Sequence, residues 1–158
     1  VLETGPGSQA VFVVGRDAYL LRAGSRLETV GQTIVIDTLR IVSGKLLSVF
    51  GPGAKRIETP TAAIGIRGTG IYIEAEPERT YVCTCYGIAD LQANENPALR
   101  ETVVTSHHDQ PRYIYGKSMP AIRMMARTRN HPGPEVPRKA AIERILSRRT
   151  RIPPILML

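Results

Sequence analysis

Apolar and polar residues alternate along short stretches of this chain, and glycine, proline or aspartate separates each stretch from the next. Ile64 and Ile66, and later Ile71 and Ile73, recur at every second position, which is the period of a strand. Strands are predicted at Ala10 to Val14, Ala18 to Arg22, Arg26 to Val30, Thr33 to Ile36, Leu39 to Val42, Lys45 to Phe50, Arg56 to Glu58, Ala63 to Ile66, Ile71 to Glu74, Thr80 to Tyr86 and Ile88 to Leu91. Short strands between such turns indicate an all-β sandwich, barrel or solenoid.

The composition agrees with a β-rich core. The chain has 158 residues, of which 42% are hydrophobic, and it contains no Trp, so Val, Ile and Leu must build the interior. This length predicts one domain plus a tail. No apolar run approaches the ~20 residues that span a bilayer, and no signal peptide opens the sequence. We therefore expect a soluble chain, as in the mature or trimmed form of a secreted protein.

Charge divides the chain near Gln110. Up to that residue there are 10 Lys and Arg against 12 Asp and Glu, and beyond it there are 11 against 2, which gives −2 and +9. This predicts a β domain at 1–110 and a basic tail at 111–158 that contributes little to the domain's stability. His131 to Pro137 has the composition of a linker, and Arg138 to Arg149 has the pattern of a short amphipathic helix.

The tail has three interpretations: a solvated basic face, an anchor on an anionic membrane surface, or a docking arm for a protein partner. Its candidate partner-binding residues are Arg138, Lys139, Ile142, Ile145, Leu146, Arg148 and Arg149. No aromatic residue follows Tyr115, so the tail offers no platform on which nucleic acid bases would stack. We expect no nucleic acid partner.

The segment from Thr59 to Leu91 reads TPTAAIGIRGTGIYIEAEPERTYVCTCYGIADL. With its T-P-x-A strand, its I-R-G-T turn, a further strand and a last strand that closes on Gly87, it resembles the FecR family of extracytoplasmic domains. The resemblance covers roughly Ser8 to Ala93. It implies a twisted β-solenoid outside the cytoplasm, in the bacterial periplasm, that scaffolds a partner or a larger assembly and is not an enzyme. A signal-transducing regulator of the FecR type is an alternative.

Two cysteines, Cys83 and Cys85, lie two residues apart in a predicted strand, so both sulfurs project from one face. Adjacent His107 and His108 face opposite ways in an extended segment, so one of them can join the cysteines, and His131 is a further candidate. Two Cys and two His form a ligand set for one zinc or copper ion. The CTCYG and HHD stretches also resemble a subgroup of FecR-domain proteins. The alternative is a structural role, since cysteines are often simply buried.

Other chemistry has weaker support in the sequence. The spacing of the cysteines is that of neither a haem-attachment nor a redox C-x-x-C motif, and a disulfide between them needs a local kink. Arg67-Gly68-Thr69-Gly70 lacks the Lys-Ser/Thr ending of a phosphate loop, so we interpret it as a structural turn. No catalytic triad or carboxylate pair is evident. A redox or electron-transfer protein, with copper or haem ligated by the same Cys and His residues, is the alternative function.

Overall fold

The structure is a computed structural model, and it describes residues 1–30, 36–108, 110–116 and 122–124. These residues form an all-β fold and contain no helix, which confirms the predicted class. The strands are β1 (Leu2–Glu3), β2 (Ala10–Val14), β3 (Asp17–Leu21), β4 (Arg26–Val30), β5 (Thr38–Val49), β6 (Ala54–Glu58), β7 (Ala62–Ala75), β8 (Arg79–Ala93), β9 (Arg100–Thr105), β10 (Arg112–Tyr115) and β11 (Ile122–Met124). They hydrogen-bond into one sheet that is not closed.

Three strands are longer than the sequence pattern predicts. β5, β7 and β8 contain 12, 14 and 15 residues, and each joins two predicted strands. Gly44, Gly68 and Gly87 lie at the three junctions and have φ values of 95°, 58° and 97°. Glycine adopts these angles without strain, so the chain bends there and then returns to the sheet. The glycines at which separate strands were expected to end therefore mark bends within continuous strands.

The order of the strands in the sheet is not predicted by the sequence pattern. Its main order is β1-β4-β5-β6-β7-β8-β10-β11, with β2 and β3 attached through β5 and β9 attached to β8. The long β7–β8 hairpin pairs from Ala62 and Ala93 at one end to Ala75 and Thr80 at the other. β7 also pairs with β5 over six residues, and β8 also pairs with β9 over six residues.

The pattern misses β1, β9, β10 and β11, because charged residues such as Arg100, Glu101 and Arg112 interrupt their alternation. β10 pairs with the first residues of β8, and its Ile114 is fully buried in the core. The sheet therefore continues past residue 110, and the predicted boundary cuts through it. Residues just beyond Gln110 contribute to the core, contrary to our expectation for the tail.

Several expectations fall outside the described residues. They are the first residues of the strand predicted at Thr33 to Ile36, the linker at His131 to Pro137 and the helix at Arg138 to Arg149. No helix long and apolar enough to cross a membrane occurs in the part of the chain that the structure describes.

The sheet buries apolar side chains on two faces. One face forms the main core, which includes Tyr19, Ile64, Ile73, Val82 and Ile114. The opposite face carries a second cluster, which consists of Ala18, Leu20, Leu47, Val49, Tyr72, Tyr81, Cys83 and Cys85. Alternate residues of one strand thus enter different clusters, as the period of two requires. Both cysteines that the sequence suggests as metal ligands, Cys83 and Cys85, belong to this second cluster.

A hydroxyl network holds the corner at which β6 meets β7. The Thr80 hydroxyl lies 2.8 Å from the hydroxyls of both Thr59 and Thr61, and Thr61 also donates to the Ile114 carbonyl at 2.9 Å. The Thr59 hydroxyl accepts a hydrogen bond from the Ala62 amide. Because these groups are buried, each needs such a partner. The T-P-x-A stretch therefore has a structural role here and connects the corner to β10.

Candidate metal centre

The site lies where two strands share one edge of β8. β9 pairs with residues 87–92 of β8, and β10 pairs with residues 79–82 along the same edge, opposite β7. Within the described residues, neither strand pairs with residues 83–86. The loop at 106–111, in which Asp109 lies outside the described residues, crosses this interval and carries His107 and His108. The topology therefore brings the histidine pair beside Cys83 and Cys85.

A β-bulge sets the direction of Cys85. Ile71 of β7 pairs with Thr84 and Gly70 pairs with Tyr86, so Cys85 has no partner residue on β7. A bulge of this kind bends a strand and turns side chains from their regular directions. Gly70 permits the arrangement, because a Cβ there would lie 2.5 Å from the Tyr86 ring. The strand β8 is thus kinked at Cys85, which allows the two cysteine sulfurs to lie closer together than in a regular strand.

The three candidate ligand atoms are close together. The sulfurs of Cys83 and Cys85 and one ring nitrogen of His108 all lie within 4.8 Å of one another. Cys83 Sγ is 3.6 Å from His108 Nδ1. Zinc bonds of ~2.3 Å to sulfur and ~2.0 Å to nitrogen in a tetrahedron place sulfur and nitrogen about 3.5 Å apart. The observed separation therefore fits a shared tetrahedral ion with little movement.

The two thiols differ in acidity. A hydrogen bond from the Cys85 thiol, followed by the hydrogen bond and charge of His108, lowers the pKa of Cys83 to about 6 against the opposing effect of burial. The hydrogen bond to Cys83 and burial together raise the pKa of Cys85. The pair thus favours one thiolate and one thiol. The thiolate is the form that binds metal, and binding would also displace the proton from Cys85.

Tyrosines surround the buried side of the site, and sequence analysis did not identify them. Tyr81 hydrogen-bonds to Cys83 and is in edge contact with Tyr72 and Tyr113, with ring centroids 6.3 and 5.2 Å away. Both cysteines are buried, being 1% and 3% exposed, whereas His108 is exposed. The spacing of Tyr81, Cys83 and Cys85 at alternate positions is the signal that could have placed this tyrosine beside the site.

The remaining predicted ligands are placed elsewhere or outside the described residues. His107 is exposed, and its Nδ1 lies 2.7 Å from the Ser106 hydroxyl. It is not part of the cluster formed by Cys83, Cys85 and His108. His131 lies outside the described residues. Of the two adjacent histidines, the structure selects His108.

Arg67-Gly68-Thr69-Gly70 contains the Thr69 lock, in which the buried Thr69 side chain links β7 to β8 while Arg67 and Gly68 are exposed. The Thr69 hydroxyl oxygen lies 3.0 and 2.8 Å from the carbonyl oxygens of Arg67 and Ile88, either of which can accept its one hydrogen. It also accepts a hydrogen bond from the Ile88 amide at 3.2 Å. A Cβ on Gly87 would meet the same hydroxyl at 2.8 Å. This geometry gives the four residues a structural role, because the hydroxyl bridges the two strands where both bend.

No protein-family model matches this sequence, and no curated protein matches it. Among solved structures, two crystal structures of a candidate anti-sigma factor from Parabacteroides distasonis ATCC 8503, at 1.65 and 2.50 Å resolution, share the fold. Each has a TM-score of 0.65 and 12% sequence identity to this chain over 78% of its length. The alignment covers 58% of each of those chains, so this chain corresponds to little more than half of their length.

Proposed function

We propose that this chain is a non-enzymatic binding module of the FecR type that holds one soft metal ion through Cys83, Cys85 and His108. The observation that carries the proposal is the spacing of these ligand atoms, with 3.6 Å between the Cys83 sulfur and the His108 nitrogen. Thiolate and imidazole together favour zinc or copper over calcium or magnesium. Three protein ligands leave a fourth position, which a water molecule or a further group can occupy.

The position of the ligands suggests what metal binding does for the domain. Cys83 and Cys85 belong to the central hairpin, whereas His108 belongs to the loop between β9 and β10. A shared ion would tie this exposed loop to the buried strand. A loop that is ordered by its ligand changes the surface that a partner meets. Metal occupancy would then be communicated to a protein partner.

Signal transmission is therefore the form of binding function that we favour. The shared fold with structures described as candidate anti-sigma factors supports it, and so does the resemblance of Thr59 to Leu91 to FecR domains. We place this activity outside the cytoplasm, in the periplasm. In this proposal the sheet is part of a twisted β-solenoid or sandwich. The basic tail, with its predicted helix at Arg138 to Arg149, docks onto a larger assembly or an anionic membrane.

A redox role is the second candidate function, and the tyrosines are the observation that favours it. Tyr81 contacts Cys83, and Tyr113 and Tyr115 continue the series with ring centroids 6.0 Å apart. Such a series connects a buried copper site with the partly exposed edge of the sheet. A copper–thiolate protein in its oxidised, Cu²⁺ form would be coloured and reducible, whereas a zinc protein would be neither. A visible absorption spectrum of the metal-loaded protein separates the two candidates, and haem would give a spectrum of its own.

Metal titration of the purified, metal-free chain tests the proposal. We expect the wild type to bind about one Zn²⁺ or Cu⁺ per chain, and the double variant Cys83→Ser/Cys85→Ser to bind none stoichiometrically. His108→Ala should weaken binding at least tenfold, or about 1.4 kcal/mol, through the loss of a ligand. His107→Ala is the matched control, since it removes the adjacent imidazole and should change little. A double variant that retains full metal content, or a wild type that binds none, would refute the site.

A further inference from the structure

β2 is an unusual edge strand. Within the described residues it pairs only with β3, so its other edge has no strand partner there. Its five residues are Ala10-Val11-Phe12-Val13-Val14, all of them apolar, and Val11 is 40% exposed. A free strand edge presents unpaired amide and carbonyl groups, and a sequence without charge or proline has nothing to prevent another strand from adding to it.

The other edge strands in the described part of the sheet carry charged residues. β1 contains only Leu2 and Glu3, β9 begins with Arg100 and Glu101, and β11 contains Arg123. Charge and short length are the usual means by which proteins keep strand edges from pairing. β2 lacks the charge and has the length of an ordinary strand. Within the described residues, neither charge nor short length protects the free edge of β2.

The sequence of β2 suits pairing with itself. In an antiparallel arrangement centred on Phe12, Val11 lies opposite Val13 of the second copy, and Ala10 lies opposite Val14. Each β-branched pair adds favourable cross-strand packing. Phe12 stacks on Tyr19 of the main core at 4.8 Å, and Val13 packs against the second cluster. Both faces of the joined strands would therefore continue apolar clusters that each chain already has.

We propose that two copies of this chain associate through antiparallel pairing of their β2 strands, which joins the two sheets across a two-fold axis. Such an interface is isologous, because the same strand contributes from both sides. The proposal rests on the edge strand alone and is independent of the metal site. A chain segment outside the described residues and an extended peptide of another protein are the competing occupants.

Light scattering coupled to size exclusion measures the mass over a range of concentrations. We expect a dimer for the wild type. Val11→Lys should raise the dissociation constant at least tenfold, because Val11 is exposed in the single chain and its replacement places a charge in the joined edge. Val104→Lys is the matched control: Val104 is 61% exposed on edge strand β9, and its replacement should leave the dimer intact.

Backbone hydrogen exchange of residues 10–14 supplies a second measurement, which needs no variant. Protection of these amides should rise with protein concentration if a second copy covers the edge. A wild type that is monomeric throughout would overturn the proposal, and strong, concentration-independent protection would then assign the edge to the chain's own segment. A dimer that survives Val11→Lys with an unchanged dissociation constant, or that is lost only in Val104→Lys, would also overturn it.

Discussion

The two halves of the β7–β8 hairpin share the same strands but differ in their outer face. In the turn half, which pairs Gly70–Ala75 with Thr80–Tyr86, side chains are buried on both faces: Val82 enters the main core, and Cys83 enters the second cluster. In the far half, which pairs Ala62–Arg67 with Ile88–Ala93, the outer face is more open to solvent: Arg67, Ile88 and Asp90 are exposed. Both candidate cysteine ligands lie in the half whose outer face is buried.

The burial of the outer face explains why the candidate thiol ligands lie in the turn half of the hairpin. Thiols in the turn half are removed from water and held by the neighbouring strands and tyrosines, so their directions and acidities are set by the fold. The outer side chains of the far half, such as Asp90, meet solvent and form ordinary surface contacts with residues such as Thr102. The Thr69 lock lies between the halves and connects the bends of β7 and β8.

Truncation should have the largest effect, because β10 pairs with the turn half of the hairpin and contributes a buried side chain to the main core. Removal of all residues after Gln110 deletes Ile114 from the core and the acceptor of the Thr61 hydroxyl. Loss of a buried strand should cost about 4 kcal/mol or more of unfolding free energy, which is enough to unfold a domain of ordinary stability. Urea denaturation followed by circular dichroism measures it.

Truncation after Met125 is the control, since it removes most of the basic tail and retains β10 and β11. We expect this shorter chain to remain folded and to lose association with partners or anionic vesicles. If it unfolds as readily as the chain that ends at Gln110, the tail packs on the domain and is not a docking arm. Equal stability of the wild type and the chain that ends at Gln110 would contradict the role of β10.

A pair of substitutions tests the contrast between the outer faces. Leu47 is fully buried in the second cluster and pairs with Tyr72 of the turn half, so Leu47→Thr should cost about 3 kcal/mol. Val104 pairs with Ile88 of the far half and is 61% exposed, so Val104→Thr should stay within about 0.5 kcal/mol. Similar costs for the two variants in thermal denaturation would show that the two faces do not differ as described.

A substitution at the bend between the halves should affect folding less than the truncation after Gln110 or Leu47→Thr. Gly68 has φ = 58° and nothing within 4 Å of the position of a Cβ, so Gly68→Val strains the backbone without a steric clash. We expect a cost of about 1–2 kcal/mol and metal affinity close to that of the wild type. A stable Gly68→Val protein that has lost affinity for phosphate would instead assign a ligand to this turn.

Sequence periodicity predicted the all-β class and the bounds of strands such as Ala10–Val14 and Arg26–Val30, because local alternation follows directly from which face is buried. It did not predict that Gly44 and Gly87 bend continuous strands, since a glycine has the same appearance in a turn and in a bend. The choice of His108 over His107 depends on β9 and β10 meeting along one edge of β8. That pairing joins residues distant in sequence, and no local pattern encodes it.

X-ray absorption of the zinc-loaded chain tests the central claim, that the buried outer face of the turn half is a metal-binding site, most directly. The account predicts two sulfur ligands at ~2.3 Å and at least one imidazole nitrogen at ~2.0 Å. His108→Ala should remove the imidazole signal and keep both sulfurs, whereas His107→Ala should leave the spectrum unchanged. A first shell of oxygen and nitrogen without sulfur would contradict the account, because the ion would then lie away from Cys83 and Cys85.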